Sequence, residues 1–343
     1  MSAIFLPPNQ PARFYRGGPG IARFRGVPVG DDHVPEDWVG STTAVLGGDG
    51  SGRSVLPDGR LLADAIAAAP GAFLGTEHVR TYGADPAVLV KLLDAGERLP
   101  VHAHPDREFA RAFLGAPYGK AEAWLILAAA GDAATLRLGF REDVDAAALA
   151  DLVARQDVPA LLASLHELRV SPGDSVYVPP GTPHAIGEGV LMVEVQEPSD
   201  LGVMLEWSRF GLEPDAATMG LGFDAALGCV RRSAVGAREL ASWRRSRAGA
   251  PETRPGVRAA VPPEAERFFR AEWLDPDPVV ELEPSFAVVV VVEGAGRLET
   301  ETGALDVAAG ETVLVAHAAG AAALSGDVAA IRCLPPLPVE AGA

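Results

Sequence analysis

Two of the chain's seven histidines lie one residue apart in the stretch GERLPVHAHPDREF, where His102 and His104 follow a glycine turn. Strand alternation places both rings on one face of a sheet, so the pair alone is equally well explained as polar surface. Imidazole nitrogens are also common ligands for divalent transition metals. A metal-site interpretation therefore depends on finding further ligands elsewhere in the chain.

A second stretch, GDSVYVPPGTPH at residues 173–184, supplies another histidine. A glycine turn leads into an apolar strand, and the PPGTP turn reverses the chain so that His184 points back toward the face of that strand. The spacings of His102 and His104 after Gly96, and of His184 after Gly173, match the two signatures of the cupin family. Cupins are double-sheet jelly rolls. The resemblance implies that the three histidines converge on one divalent metal.

The spacing leaves two candidates for a carboxylate ligand. Glu108 occupies the place of the glutamate in the plain cupin signature, but it lies in the first turn of a predicted helix, DREFARAFLG, where an acidic residue is favourable in any case. Glu122 lies in GKAEAWLIL, a strand that we expect to pair with the histidine strand. Alternation along this strand places Lys120, Glu122 and Trp124 on one face.

Several longer stretches resemble the type I mannose-6-phosphate isomerases. They are DPAVLVKLLDAGERLPVHAHPD, GAPYGKAEAWLIL, VSPGDSVYVPPGTPHAIGEGVLMVEVQEPSD and, more faintly, VPEDWVGSTTA, and they cover most of residues 30–210. The resemblance implies a metal held by His102, His104, Glu122 and His184, and thus selects Glu122 over Glu108. It implies one divalent metal per chain, with zinc favoured and manganese, iron and nickel compatible. His102 stands where the family usually has a glutamine.

The same resemblance implies an enzyme, an aldose–ketose isomerase that interconverts mannose 6-phosphate and fructose 6-phosphate through a cis-enediol. This chemistry needs proton transfer at carbon and oxygen and a Lewis acid for the developing oxyanion. The implied catalytic residues are Lys120, Glu194 and Asp200, without an assignment of the base. The family usually has an arginine where this chain has Met204, and we expect Arg209 to take its place.

Met204 also motivates two alternatives: a cupin isomerase of altered sugar specificity, or a sugar-binding or regulatory cupin without catalysis. A dioxygenase is a further alternative, because three histidines and a glutamate can hold iron(II). The Lys-x-Glu stretch and the predicted helical insertions favour the isomerase.

Composition limits the partners. The 343 residues include 29 Lys and Arg against 46 Asp and Glu, for a net charge of −17, which disfavours nucleic acid and anionic membrane surfaces. The expected partner is a small-molecule sugar phosphate, which requires a local positive site. Two cysteines, Cys229 and Cys333, exclude a thiolate zinc cluster. The start of the chain lacks the apolar run of a signal peptide, so we expect a cytoplasmic protein.

The order of elements predicts a mostly β fold with two cupin-type jelly-roll barrels. Short apolar strands separated by turns dominate, and helical patterns interrupt the first half, including a pair split at Pro159. We expect residues 1–223 to form a metal-binding cupin domain with helical insertions. Residues 224–343 are expected to form a second, structural cupin-like domain without metal ligands, because its turn GETVLVAHAAG lacks the proline and histidine pattern. The valine run at 288–292 predicts a central strand.

Overall fold

The protein is described by a computed structural model covering residues 2–131 and 134–338, and it is mostly β, as predicted. The predicted domain ranges also include residues 1, 132–133 and 339–343, which lie outside the described residues. In the described part of the chain the strands, numbered in order, are β1 (Ile4–Phe5), β2 (Glu36–Val39), β3 (Leu89–Asp94), β4 (His102–Ala103), β5 (Glu122–Ala129), β6 (Thr135–Phe140), β7 (Leu165–Arg169), β8 (Asp174–Val178), β9 (His184–Ile186), β10 (Val190–Gln196), β11 (Val203–Met204), β12 (Arg244–Ser246), β13 (Glu252–Arg254), β14 (Val257–Ala259), β15 (Arg270–Leu274), β16 (Val279–Leu282), β17 (Ala287–Thr300), β18 (Gly303–Ala308), β19 (Thr312–Val315) and β20 (Ala322–Leu334).

The helices are short and lie mainly in the first two thirds of the chain. They are α1 (Gly20–Arg25), α2 (Leu62–Ala68), α3 (Pro70–Leu74), α4 (Thr76–Tyr82), α5 (Arg107–Leu114), α6 (Ala146–Ala154), α7 (Val158–Ser164), α8 (Pro214–Ala217), α9 (Phe223–Ala226) and α10 (Ala237–Ser242), with single 3₁₀ turns at Ser208–Phe210, Leu227–Cys229, Pro263–Ala265 and His317–Ala319. The helical pair α6 and α7 is confirmed, with Pro159 in the first turn of α7. Within the described ranges, every helix is too short or too polar to cross a lipid bilayer.

Three open sheets contain the strands. The six-stranded sheet has the order β12-β8-β5-β10-β3-β2, and the five-stranded sheet has the order β11-β4-β9-β6-β7. The nine-stranded sheet runs β1-β19-β17-β20-β15-β14-β13, with β16 on β20 and β18 on β17. The valine run lies in β17, between β19 and β20, so its prediction as a central strand is confirmed.

The six- and five-stranded sheets position the candidate site residues. In the five-stranded sheet, His102 pairs with His184 across β4 and β9. In the six-stranded sheet, Glu194 on β10 lies opposite Trp124 on β5 and Lys91 on β3. The expectation that the Glu122 strand pairs with the histidine strand is wrong, because β5 and β4 belong to different sheets. Glu122 reaches the histidines across the space between the sheets.

The two parts of the chain share strands and core. Strand β1 pairs with β19 in the nine-stranded sheet, and β12 pairs with β8 in the six-stranded sheet. Trp124 of the six-stranded sheet belongs to the same buried apolar cluster as Val288 and Ile331 of the nine-stranded sheet. The division at residue 223 stays a prediction.

Candidate metal centre and cleft

Three buried imidazoles converge between the sheets. Potential ligand atoms of His102, His104 and His184 all lie within 4.8 Å of one another. Each ring directs Nδ1 at a backbone carbonyl: His102 at Pro100 (2.8 Å), His104 at Leu201 (2.6 Å) and His184 at Thr182 (2.8 Å). A carbonyl accepts only from a protonated Nδ1, so each neutral ring keeps the lone pair on Nε2. These are the second contacts that orient metal-ligating histidines.

The donor set fits a divalent cation. The Nε2 atoms of His102 and His184 lie 2.9 Å apart, and two lone pairs at that distance repel unless a cation or a proton lies with them. Burial and the neighbouring His184 lower the pKa of His102 well below its ordinary value. Burial and Lys120 lower the pKa of His104 to about 4. The neutral form that ligates metals is therefore favoured at neutral pH.

Glu122 completes the cluster from the opposite sheet. Its Oε1 lies 3.1 Å from Nε2 of His184, and its Oε2 lies 3.3 Å from Nε2 of His104. Burial opposes ionisation of this carboxyl, but Lys120 and the histidines hold its pKa well below the usual range. Glu108 is exposed in the first turn of α5. Glu122 is thus the carboxylate that the structure brings to the histidines.

Lys120 and Glu194 adjoin this cluster. The ammonium of Lys120 donates to Oε2 of Glu122 at 2.6 Å and to Nε2 of His104 at 2.9 Å, and it lies 3.2 Å from Oε1 of Glu194. Glu194 is 2% exposed. Its burial outweighs the nearby lysines and raises its pKa to about 7. A carboxyl of this kind changes protonation state readily near neutral pH.

The cluster adjoins a cleft, which His102, His104 and Glu122 help to line. Asp200 and Met204 line this cleft. Asp200 accepts two hydrogen bonds from Arg13, at 2.9 and 3.0 Å, and one from the backbone N–H of Leu46. Arg209 is not among the lining residues. Its side chain is 52% exposed, and its guanidinium lies 3.5 Å from Glu97.

Sequence reasoning missed a buried polar network on the wall of the cleft. Glu36 accepts hydrogen bonds from the Tyr15 hydroxyl and, at 2.6 Å, from Nε1 of Trp38. Arg13 and Lys91 each have a nitrogen 3.5 Å from the same carboxylate. Burial would raise the pKa of Glu36, but these partners lower it to about 2. The available signal was period-2 alternation in Glu-x-Trp, which places Glu36 and Trp38 on one face of β2.

Fold and site together define a mostly β protein with a candidate metal centre of three histidines beside one glutamate. No family model matches the chain. The chain is 36% identical over 116 residues to the mannose-6-phosphate isomerase ManA of Bacillus subtilis (strain 168). The aligned region covers 33% of this chain and 34% of that protein. The match thus spans about a third of the length of this curated relative.

Solved structures extend the likeness to nearly the whole chain. A mannose 6-phosphate isomerase from Bacillus subtilis superimposes with a TM-score of 0.74 at 22% identity, over 97% of this chain and 99% of that one. A mannose 6-phosphate isomerase bound with zinc and yttrium gives a TM-score of 0.75 at 17% identity, over 98% of this chain and 100% of that one. At these identities the likeness shows a shared fold. The predicted resemblance to the type I mannose-6-phosphate isomerases is confirmed.

Proposed function

We propose that the protein is a metal-dependent aldose–ketose isomerase that interconverts mannose 6-phosphate and fructose 6-phosphate through a cis-enediol. The observation that carries this proposal is the convergence of three buried imidazoles with Glu122, Lys120 and Glu194 beside a single cleft. The named relatives support the choice of reaction.

His102, His104, Glu122 and His184 would hold one divalent metal per chain. Zinc is favoured, since one solved relative binds it, and manganese, iron and nickel suit the same donors. A bound metal supplies a Lewis acid that stabilises negative charge developing on a substrate oxygen.

The protein's own groups would carry the protons. Glu194 lines the cleft next to Lys120, where it can accept a proton from a substrate carbon and return it to the adjacent carbon. The Lys120 ammonium lies 3.2 Å from Glu194 and keeps a positive charge beside this carboxyl. Asp200 lines the cleft and holds the guanidinium of Arg13 on its wall through two hydrogen bonds.

Turnover of several hexose phosphates by protein loaded with zinc or manganese tests the proposal. We expect conversion of mannose 6-phosphate to fructose 6-phosphate with incorporation of solvent deuterium at C1 of the product, and exchange at C2 of the remaining mannose 6-phosphate. Absence of turnover at every metal loading would remove the isomerase. Met204 on the cleft wall favours a second candidate, an isomerase of altered sugar specificity. Faster turnover of unphosphorylated sugars than of their phosphates would select that candidate.

We further propose that the six- and five-stranded sheets together form the first cupin domain, residues 1–223. The Glu122–His184 contact across these sheets supports this pairing. The nine-stranded sheet would then represent the structural second domain, residues 224–343, with β1 and β12 exchanged between them. A cytoplasmic location remains part of the proposal.

A further inference from the structure

A phosphorylated substrate needs a positive group in the cleft, because the chain as a whole has a net charge of −17. Arginine suits phosphate best, since its planar fork of N–H groups matches two phosphate oxygens at once. Arg209 lies outside the cleft beside Glu97. In the part of the chain that the structure describes, the cationic side chains lining the cleft are Arg13, Lys91 and Lys120.

The two lysines are already committed. Lys120 donates to Glu122 at 2.6 Å and forms an ion pair with Glu194 at 3.2 Å. Lys91 has a side chain 2% exposed, and its ammonium lies 3.5 Å from Glu36 and 4.5 Å from the centre of the Trp38 ring. Neither ammonium can turn toward a ligand in the cleft without leaving buried partners unpaired, which is costly.

Arg13 differs because its donors are only partly used. A guanidinium has five N–H groups. Two of those of Arg13 donate to Asp200. Its buried Nε has no hydrogen-bond partner, since the carboxylate of Glu36 lies 3.5 Å away. Its side chain is 12% exposed, more than that of either lysine. That Nε is buried, but each terminal nitrogen of Arg13 has a second N–H beyond the one that donates to Asp200, and the side chain lines the cleft.

The surroundings of Arg13 fix it in place. Asp200 binds the end of the guanidinium through both oxygens, and the backbone N–H of Leu46 binds the same carboxylate. Arg13 and Lys91 both lie beside Glu36, and Arg13 also pairs with Asp200, so each buried cation has a carboxylate partner. The guanidinium thus keeps one geometry before a ligand arrives, which reduces the entropic cost of binding.

We propose that Arg13 binds the phosphate group of the substrate through the N–H groups that Asp200 leaves free. This inference rests on the proposed function, because it assigns the phosphate subsite of the same cleft. Arg13 is a substrate-binding residue that distinguishes phosphorylated from unphosphorylated sugars, while the reacting carbons lie near Lys120 and Glu194.

Calorimetric binding of glucitol 6-phosphate and of glucitol tests this role, because neither compound has a carbonyl to isomerise. For Arg13→Met we expect the Kd of glucitol 6-phosphate to rise by about 10- to 100-fold, as for the loss of a charged hydrogen bond, with the Kd of glucitol unchanged. Arg209→Met is the matched control and should change neither value. Unchanged affinity of Arg13→Met for glucitol 6-phosphate, or an equal loss for both compounds, would overturn the inference.

Arg13→Lys keeps the charge beside Asp200 and serves as the test if Arg13→Met does not fold, as judged by its thermal unfolding. We expect a smaller loss that is still selective for the phosphorylated compound, because a lysine lacks the fork. Equal Kd values for wild type and Arg13→Lys would then overturn the inference. Wild-type protein that binds glucitol 6-phosphate through Arg13 without turning over any hexose phosphate would refute the isomerase and leave the subsite standing.

Discussion

The Nε2 atoms of His102 and His184 face each other at 2.9 Å, while Nδ1 of each ring contacts a backbone carbonyl. With both Nδ1 atoms protonated, neither ring in its neutral form has a proton to place between the two nitrogens. A cation at this point relieves the repulsion between the lone pairs. This pair of nitrogens is therefore suited to share one divalent cation, which would stabilise the folded chain.

Metal removal should lower thermal stability. We expect chelated protein to unfold at a lower temperature, and zinc at about 1,000 times its Kd to restore about 4 kcal/mol. His184→Ala should lose this response, whereas His317→Ala, which is remote from the cluster, should keep it. Calorimetric scans with and without zinc measure the effect. An undiminished zinc response in His184→Ala would contradict the assignment of the ligands.

Glu194→Gln should abolish proton transfer while leaving the metal in place. Loss of a general acid–base group typically lowers kcat by about 10²- to 10⁴-fold. The zinc content should stay at one per chain, and exchange of the C2 proton with deuterium oxide should stop. Glu97→Gln is the matched control, because that carboxylate lies beside Arg209, away from the cleft lining. If Glu194→Gln still exchanged the C2 proton with solvent, another group would have to be the general base.

Glu36 should contribute to stability above about pH 4.5 and lose that contribution in acid. Its pKa falls from an ordinary 4.5 to about 2 on folding, so between these values the unfolded chain binds more protons than the folded one. The shift corresponds to about 3 kcal/mol, lost as the pH falls toward 2. Urea titrations of chelated protein at several pH values measure it. In Glu36→Gln the free energy of unfolding should fall less steeply over this interval, and parallel curves would contradict the prediction.

A methyl group at Gly52 should disturb the wall of the cleft. Gly52 has a φ of +90°, and a Cβ there would lie 2.7 Å from the ring of Trp38, which contacts Lys91. We expect Gly52→Ala to lower the free energy of unfolding by about 2 to 3 kcal/mol. At Gly47 the φ is +70° and the space is open, so Gly47→Ala should cost only about 1 kcal/mol. Equal midpoints in thermal unfolding would contradict the packing argument.

The spacing of residues along the chain was enough to predict that the three histidines come together. It could not predict which strands pair across the sheets. The histidine pair and the PPGTP turn encode which side chains share a face, because alternation is a property of neighbouring residues. The resemblance, rather than the spacing, selected Glu122 over Glu108. The partner sheet of the Glu122 strand was predicted wrongly, since pairing between strands depends on contacts remote in sequence.

The arginine on the cleft wall could not be predicted from local sequence either. Arg209 was expected there because it follows the Ser–Asp pair closely in the chain. The side chain that contacts Asp200 is instead Arg13, which is 187 residues away in sequence. No local pattern links these two positions, and only the folded arrangement of the N-terminal segment against β10 and β11 brings them together. Lys91 could be singled out because a buried lysine within an apolar strand needs a partner.

The sharing of strands between sheets has a consequence for synthesis on the ribosome. The edge of β8 stays uncovered until residues 244–246 have emerged, and β1 has to wait for residues 312–315 before it can pair. At that stage the nascent chain already contains every residue of the metal cluster. It still exposes unpaired backbone N–H and C=O groups along a sheet edge, which can pair with other chains. Newly made molecules therefore need the last third of the chain before both of these strands are fully paired.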